Sequence, residues 1–285
     1  MESIRRYPRL VFRLLQLGVI GLFLARAWNY IYWDSPLRSF LWDEDLLTRW
    51  VERMGYTWSE WVTNPEINQS IASTIQVQGI LFVVAAIAVL FLEKFPRSSA
   101  ILVAIGGLQC LLHVCLTTKA HFGQVGQFIE QTLQWVSPFL LLATFVPVVT
   151  PKTLDWLMRW AIALTFCGHG LYAIGFYPVP GNFQEMMMAG LSVSNQQALQ
   201  LLKLAGLLDF LAAGLLLLPF AQWAKWGLYY TIIWGALTAF ARVWSYFSLN
   251  SFQGLTQQWL PESMSRGVHF LIPLALFYIW KTKKY

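Results

Sequence analysis

KLAGLLDFLAAGLLLLPFAQWAKWGLYYTIIWGALTAFARVW, residues 203–244, reads as two membrane-spanning helices joined by a short turn at Pro219–Lys225. Each half is close to the ~20 apolar residues that a span requires. Each also carries one ionisable group at bilayer depth, Asp209 in the first and Arg242 in the second. A charge there costs a few kcal/mol or more unless it is paired or faces a wet cavity, so both are candidates for a functional site.

The rest of the chain has the same character. Hydrophobic residues make up 57% of it, charged residues only 12%, and the mean hydropathy is +0.51. A soluble fold of this length needs far more surface charge, so the composition implies a polytopic membrane protein. Arg5, Arg6, Arg9 and Arg13 precede a long apolar run with no small-residue cleavage site after it, which suits a first span better than a removable signal. The net charge of +6 sits mainly at helix ends and on one side, so it is not a nucleic-acid signature. Cys110, Cys115 and Cys167 lie in apolar segments without a CxxC pair and read as small hydrophobes.

The expected fold class is an all-α polytopic membrane helix bundle of about eight transmembrane helices, near 11–32, 70–92, 99–118, 127–149, 154–176, 196–218, 224–247 and 266–281. Lys94, Arg97, Lys152, Arg159, Lys225, Lys281, Lys283 and Lys284 fall on the side of the N-terminal arginines. Asp34, Asp43, Glu44, Asp45, Glu52, Glu60, Glu66, Glu185 and Glu262 fall opposite, with fewer cations among them. The positive-inside rule then puts both termini in the cytoplasm of a multi-pass protein. The loop at 33–69 reads as structured: Asp43 suits an N-cap, Gly55 a stop, and Leu46 or Leu47, Trp50 and Met54 share one face. Asn64-Pro65-Glu66 reads as the start of a helix running into the second span. In the 177–199 loop, FQEMMMAGL forms a Met-rich turn or two, and Ser194 with Gln197 makes a capping box. Flexible Met side chains suit a cover over an adaptable pocket and suit plain packing equally well.

The chain also repeats itself. RAWNYIYWDSP at the end of helix 1 parallels HGLYAIGFYPVP at the end of helix 5; Gly79 through Ala85-Ala86 to His113 parallels Gly206 through Ala212-Ala213 to Arg242; QWVSPFLLL parallels VHFLIPLAL. Two parallel four-helix repeats are therefore expected, at 1–153 and 154–285, related by an axis along the membrane normal.

On this topology Arg26, His113, Glu130, His169, Lys203, Asp209, Arg242, Arg266 and His269 all lie in the outer half of the bilayer or at its edge. Gln127, Glu130, Gln134 and Ser137 form one polar stripe, Gly106, Gln109, His113 and Thr117 a second, and Gly235, Thr238, Arg242 and Ser245 a third. Lipid cannot satisfy such faces, so they look inward. The expectation is a shared pocket in which Arg26, His113, Glu130, His169, Asp209, Arg242, Arg266 and His269 bind a ligand. The competing reading is a set of structural locks, with Asp209 and Arg242 as a buried ion pair. Cations outnumber carboxylates, which suits a phosphate, a carboxylate or a quinone carbonyl. The three histidines come without an ExxH motif, and a metal is not expected.

Over 155–281, and through Gly206, Asp209, Thr238, Ala239 and Arg242 in particular, the sequence resembles the DoxX-like family of bacterial membrane proteins. The first half looks like a diverged copy, with Phe82 where Asp209 stands and His113 near where Arg242 stands. The chain is also distantly similar to the horizontally transferred transmembrane domain of vitamin-K-dependent carboxylases. The resemblance implies a bacterial inner-membrane location and a superfamily that includes the small subunit of a thiosulfate:quinone oxidoreductase. A fold does not carry function with it. The functional expectation is a quinone- or lipid-like ligand in a cavity open to the extracytoplasmic leaflet, in a membrane subunit or accessory of a redox or envelope process. An extracytoplasmic protein partner is then conceivable. The alternatives are a secondary transporter of a small anionic or amphipathic solute, and a structural scaffold without a ligand.

Overall fold

The computed structural model describes residues 7–146, 148–247 and 252–282. Arg5, Arg6, Lys283 and Lys284, counted above for orientation, lie outside the described residues. Within them every regular element is helical. Four helices are long and apolar enough to cross a membrane: α1 (Arg9–Tyr32), α5 (Pro65–Leu90), α6 (Pro96–Ala120) and α11 (Asn195–Leu217). The protein is a membrane protein on that ground. Two thirds (67%) of the most apolar stretch of α1 is buried, against 39% for each of the others, so α1 runs through the middle of the bundle.

Between α1 and α5 the chain makes α2 (Pro36–Leu41), α3 (Glu44–Arg53) and α4 (Trp58–Thr63). Their ends follow local chemistry. Asp43 accepts from the Leu46 N–H, Gly55 turns the chain at φ +89°, and Asn64 accepts from Glu66 and Ile67 ahead of Pro65. Thr57 and Glu60 form a capping box, and the two Thr57 donors hold the Glu60 carboxyl below its usual range. Asp43 also pairs with Lys119 at the end of α6. Leu46, Trp50 and Met54 stay exposed, so the bundle does not cover that apolar face of α3.

The stretch at 127–149 is not one helix. It comprises α7 (Val125–Glu130) and α8 (Thr132–Ala143), broken at Gln131. The break leaves the Leu133 N–H without a helical partner, and the Thr165 hydroxyl of α9 (Pro151–Ala173) accepts it at 3.0 Å. Pro138 within α8 frees the Gln134 carbonyl, and the Ser137 hydroxyl donates to it at 3.3 Å. After α10 (Gly181–Leu191) and α11 come α12 (Ala221–Ser245), α13 (Phe252–Gly254), a π-helical turn (Leu255–Trp259), α14 (Leu260–Ser265) and α15 (Val268–Thr282). The Ser194–Gln197 capping box opens α11.

The helices pack as two groups of neighbours. In the first, α1 meets α5 and α8, and α6 lies between α5 and α8; in the second, α9 meets α11 and α15, and α12 lies between α11 and α15. The groups join where α1 packs on α15, α8 on α9, and α8 on α15.

Candidate functional site

Helices α11 and α12 touch at one end and part at the other. Near their connecting turn, a Cβ placed on Gly227 would lie 2.5 Å from the Ala212 carbonyl, a contact that only glycine permits. Between their opposite halves lies a cavity of about 470 Å³, closed on further sides by α9 and by the Met-rich α10. Phe183, Met186 and Met187 of α10 face into it. The Ser245 hydroxyl holds α10 in place by donating to the Met186 carbonyl at 3.1 Å, and the Tyr246 hydroxyl donates to Glu185 at 2.8 Å. Leu191, Phe240 and Trp244 line the cavity while also being exposed on the outer face of the bundle, so the cavity opens sideways between α10 and α12.

Four of the eight candidate residues line this space: His169, Asp209, Arg242 and Arg266. Asp209 and Arg242 are both 2% exposed, but they are not an ion pair. Asp209 accepts from the Tyr230 hydroxyl at 2.9 Å, and Arg242 donates to the Thr238 carbonyl at 2.8 Å. Tyr230 and Arg242 are ~18 Å apart along α12 at 1.5 Å per residue, which separates the two charges. No carboxylate of a described residue reaches ion-pair distance of Arg242.

Glu130 and His269 stand behind the cavity wall. Both terminal nitrogens of Arg266 lie 3.4 Å from one Glu130 oxygen, and His169 Nε2 lies 3.9 Å from the same oxygen. The edge of one imidazole meets the face of the other between His169 and His269, with centroids 5.2 Å apart. The end of α7 reaches His169 because Gly168 has no side chain. A Cβ there would lie 2.4 Å from the Glu130 backbone. Gly235 does the same for α12 against the His269 carbonyl, at 2.5 Å. That carbonyl is the one Pro273 deprives of its helical partner. Both ring nitrogens of His269 and Nε2 of His169 are buried without a hydrogen-bond partner among the described residues.

Arg26 and His113 lie elsewhere. Arg26 reaches Gln134, bonded at short range, and Gln131 at 3.4 Å. His113 Nδ1 is 3.0 Å from the Tyr30 hydroxyl, in a space that Tyr30 and Phe82 fill with rings packed edge to face. Lys203 is exposed on α11. The sequence reading missed Tyr230, which looks like an ordinary interface aromatic, and the helices at 252–265 that deliver Arg266. No apolar period marks that segment. Only the Pro261-Glu262 pair signals a helix start there.

The described residues hold no cluster of three or more His, Cys, Asp or Glu suited to a metal ion. The arrangement is instead an apolar chamber with two arginines in its wall, backed by a carboxylate and two imidazoles. No family model matches the chain, and no curated protein or solved structure matches it.

Proposed function

We propose that the protein binds a quinone- or lipid-like molecule in this cavity, with the polar part of the ligand at His169, Arg242 and Arg266 and the apolar part against α10 and α12. The observation that carries the reading is the coincidence of one cavity with three buried ionisable residues, His169, Asp209 and Arg242, and the part-buried Arg266 in an otherwise apolar wall. Its volume falls in the range of roughly 300–1,000 Å³ typical of small-molecule sites. Intramembrane charges gather at pathways and sites because lipid alone does not repay their burial. Met186 and Met187 suit a wall that adapts to a chain of variable shape.

The wider setting is part of the same reading. All eight expected spans cross the membrane, the fourth as α7 and α8 together, both termini are cytoplasmic, and the cavity faces the extracytoplasmic leaflet of a bacterial inner membrane. The chain is a DoxX-like tandem of two four-helix repeats. Support for the tandem comes from a repeated pair: Arg26 meets Gln134 across α1 and α8, and His169 meets His269 across α9 and α15. In the aligned stretches of the two halves those positions coincide. The role is a membrane subunit or accessory of a redox or envelope process, with an extracytoplasmic protein partner and no nucleic acid.

Native mass spectrometry of the full chain, released from neutral detergent, tests the proposal. A co-purifying lipid or quinone is expected on wild type and absent from Ala173→Tyr, in which a ring occupies the cavity that Ala173 lines. Equal retention by both proteins rejects this cavity as the site.

A further inference from the structure

We infer that the ligand is a single-chain amphiphile with an anionic head group, a phosphate monoester or a carboxylate, and that Arg242 is its principal cation. This rests on the cavity-binding reading above and narrows its substrate class.

The argument starts from the state of Arg242. It is almost wholly buried, yet its one hydrogen bond among the described residues goes to a neutral carbonyl. A guanidinium has five N–H donors and keeps its charge. Arg266 already takes Glu130, and Asp209 is held by Tyr230 at a distance. Arg242 is thus left without a contacting anion: Glu130 belongs to Arg266, and Glu262, whose charge acts on Arg242, stays beyond ion-pair distance. A quinone carbonyl supplies an acceptor without a charge. A phosphate or carboxylate supplies both, in a geometry that fits the guanidinium fork. A zwitterionic head group brings its own cation against Arg266 and gains less. Asp209, bonded to Tyr230, offers no positive charge at the opposite end, so the head group belongs beside Arg242. The exposed Leu191, Phe240 and Trp244 at the mouth then lead the chain out among the lipids. The cavity is of drug-molecule size, which suits one chain rather than two.

Binding of four probes to the full chain in neutral detergent tests this, read by isothermal titration calorimetry: 1-oleoyl lysophosphatidate, oleate, 1-oleoyl lysophosphatidylcholine and decylubiquinone. The two anions are expected to bind roughly tenfold or more tightly than the other two, as charge-assisted pairing implies. Arg242→Gln is expected to erase that preference. The contrast between phosphate and carboxylate identifies which anion is preferred. Decylubiquinone or lysophosphatidylcholine binding as tightly as the anions overturns the inference, as does a preference that survives Arg242→Gln. Binding abolished by Ala173→Tyr shows in those cases that the cavity reading stands. If no probe binds wild type, or Ala173→Tyr binds normally, both fall. The wild-type comparison needs no variant, so it decides even where Arg242→Gln does not fold.

Discussion

Ala173 stands against Gly206 as Tyr30 stands against Gly79. A Cβ built on Gly206 would meet Ala173 Cβ at 3.0 Å, with Ile174 and the Gly170 carbonyl beside it. A Cβ built on Gly79 would meet Tyr30 Cβ at 3.1 Å, with Ile31 and the Ala27 carbonyl beside it. The two crossings use corresponding atoms, but their surroundings differ. Tyr30 and Phe82 fill the space in the first half, whereas Ala173 and Asp209 line a cavity in the second.

That difference predicts opposite responses to reciprocal changes. Tyr30→Ala removes a ring that is 4% exposed, along with the bond to His113, and is expected to cost about 3–5 kcal/mol. Ala173→Tyr places a ring in existing space and is expected to leave stability within about 1.5 kcal/mol of wild type. Denaturation of both proteins in one detergent reads the difference. Equal losses would mean that the second-half space is not free to take a ring.

Two glycines separate packing from propensity. Gly168→Ala drives a methyl into the Glu130 backbone, and about 1–3 kcal/mol of destabilisation is expected, with Glu130 displaced from Arg266. A Cβ on Gly214 of α11 meets nothing within 4 Å, so Gly214→Ala is expected to be neutral or to stabilise by up to ~1 kcal/mol. Thermal unfolding of the pair is the check, and a Gly214→Ala loss as large as that of Gly168→Ala contradicts the packing account.

Asp209 and Arg242 give a sharper test, because the competing reading made them partners. Tyr230 is bonded to Asp209 and Arg242 is not. A double-mutant cycle on Asp209→Asn and Tyr230→Phe should show coupling of at least about 0.5 kcal/mol. The cycle on Asp209→Asn and Arg242→Gln should be additive within about 0.5 kcal/mol. Strong coupling in the second cycle restores the ion pair.

Several helix starts were legible in the sequence because local chemistry sets them. Asp43, Asn64 and the Ser194–Gln197 pair cap where their side chains alone require it. The buried ionisable residues were also visible, since each is conspicuous in an apolar run. Which of them gather was not. Arg26 and His113 have the same sequence character as His169 and Arg242, and only the third dimension gives them Gln134 and Tyr30 as partners. Likewise the break at Gln131 depends on Thr165, which receives the displaced Leu133 N–H from another helix. A pattern confined to one helix does not contain that information.

The end of the bundle away from the cavity provides the last prediction. Asp155 pairs with Arg159 at 2.9 Å and is bonded by the Trp280 indole. Arg159 lies against the Trp280 ring at 4.6 Å and the Trp156 ring at 4.9 Å, and donates to the Leu218 carbonyl at 3.3 Å, just past α11. This cluster ties α9, α11 and α15 together with one cation, one carboxylate and two aromatic faces. Arg159 is therefore a lock between helices. Arg159→Ala is expected to lower stability by about 1.5–3 kcal/mol, the range for hydrogen bonds to charged groups. Because the cluster is remote from the cavity, ligand affinity per folded molecule should stay within about twofold. A loss of affinity without a loss of stability would instead tie this end of the bundle to the binding site.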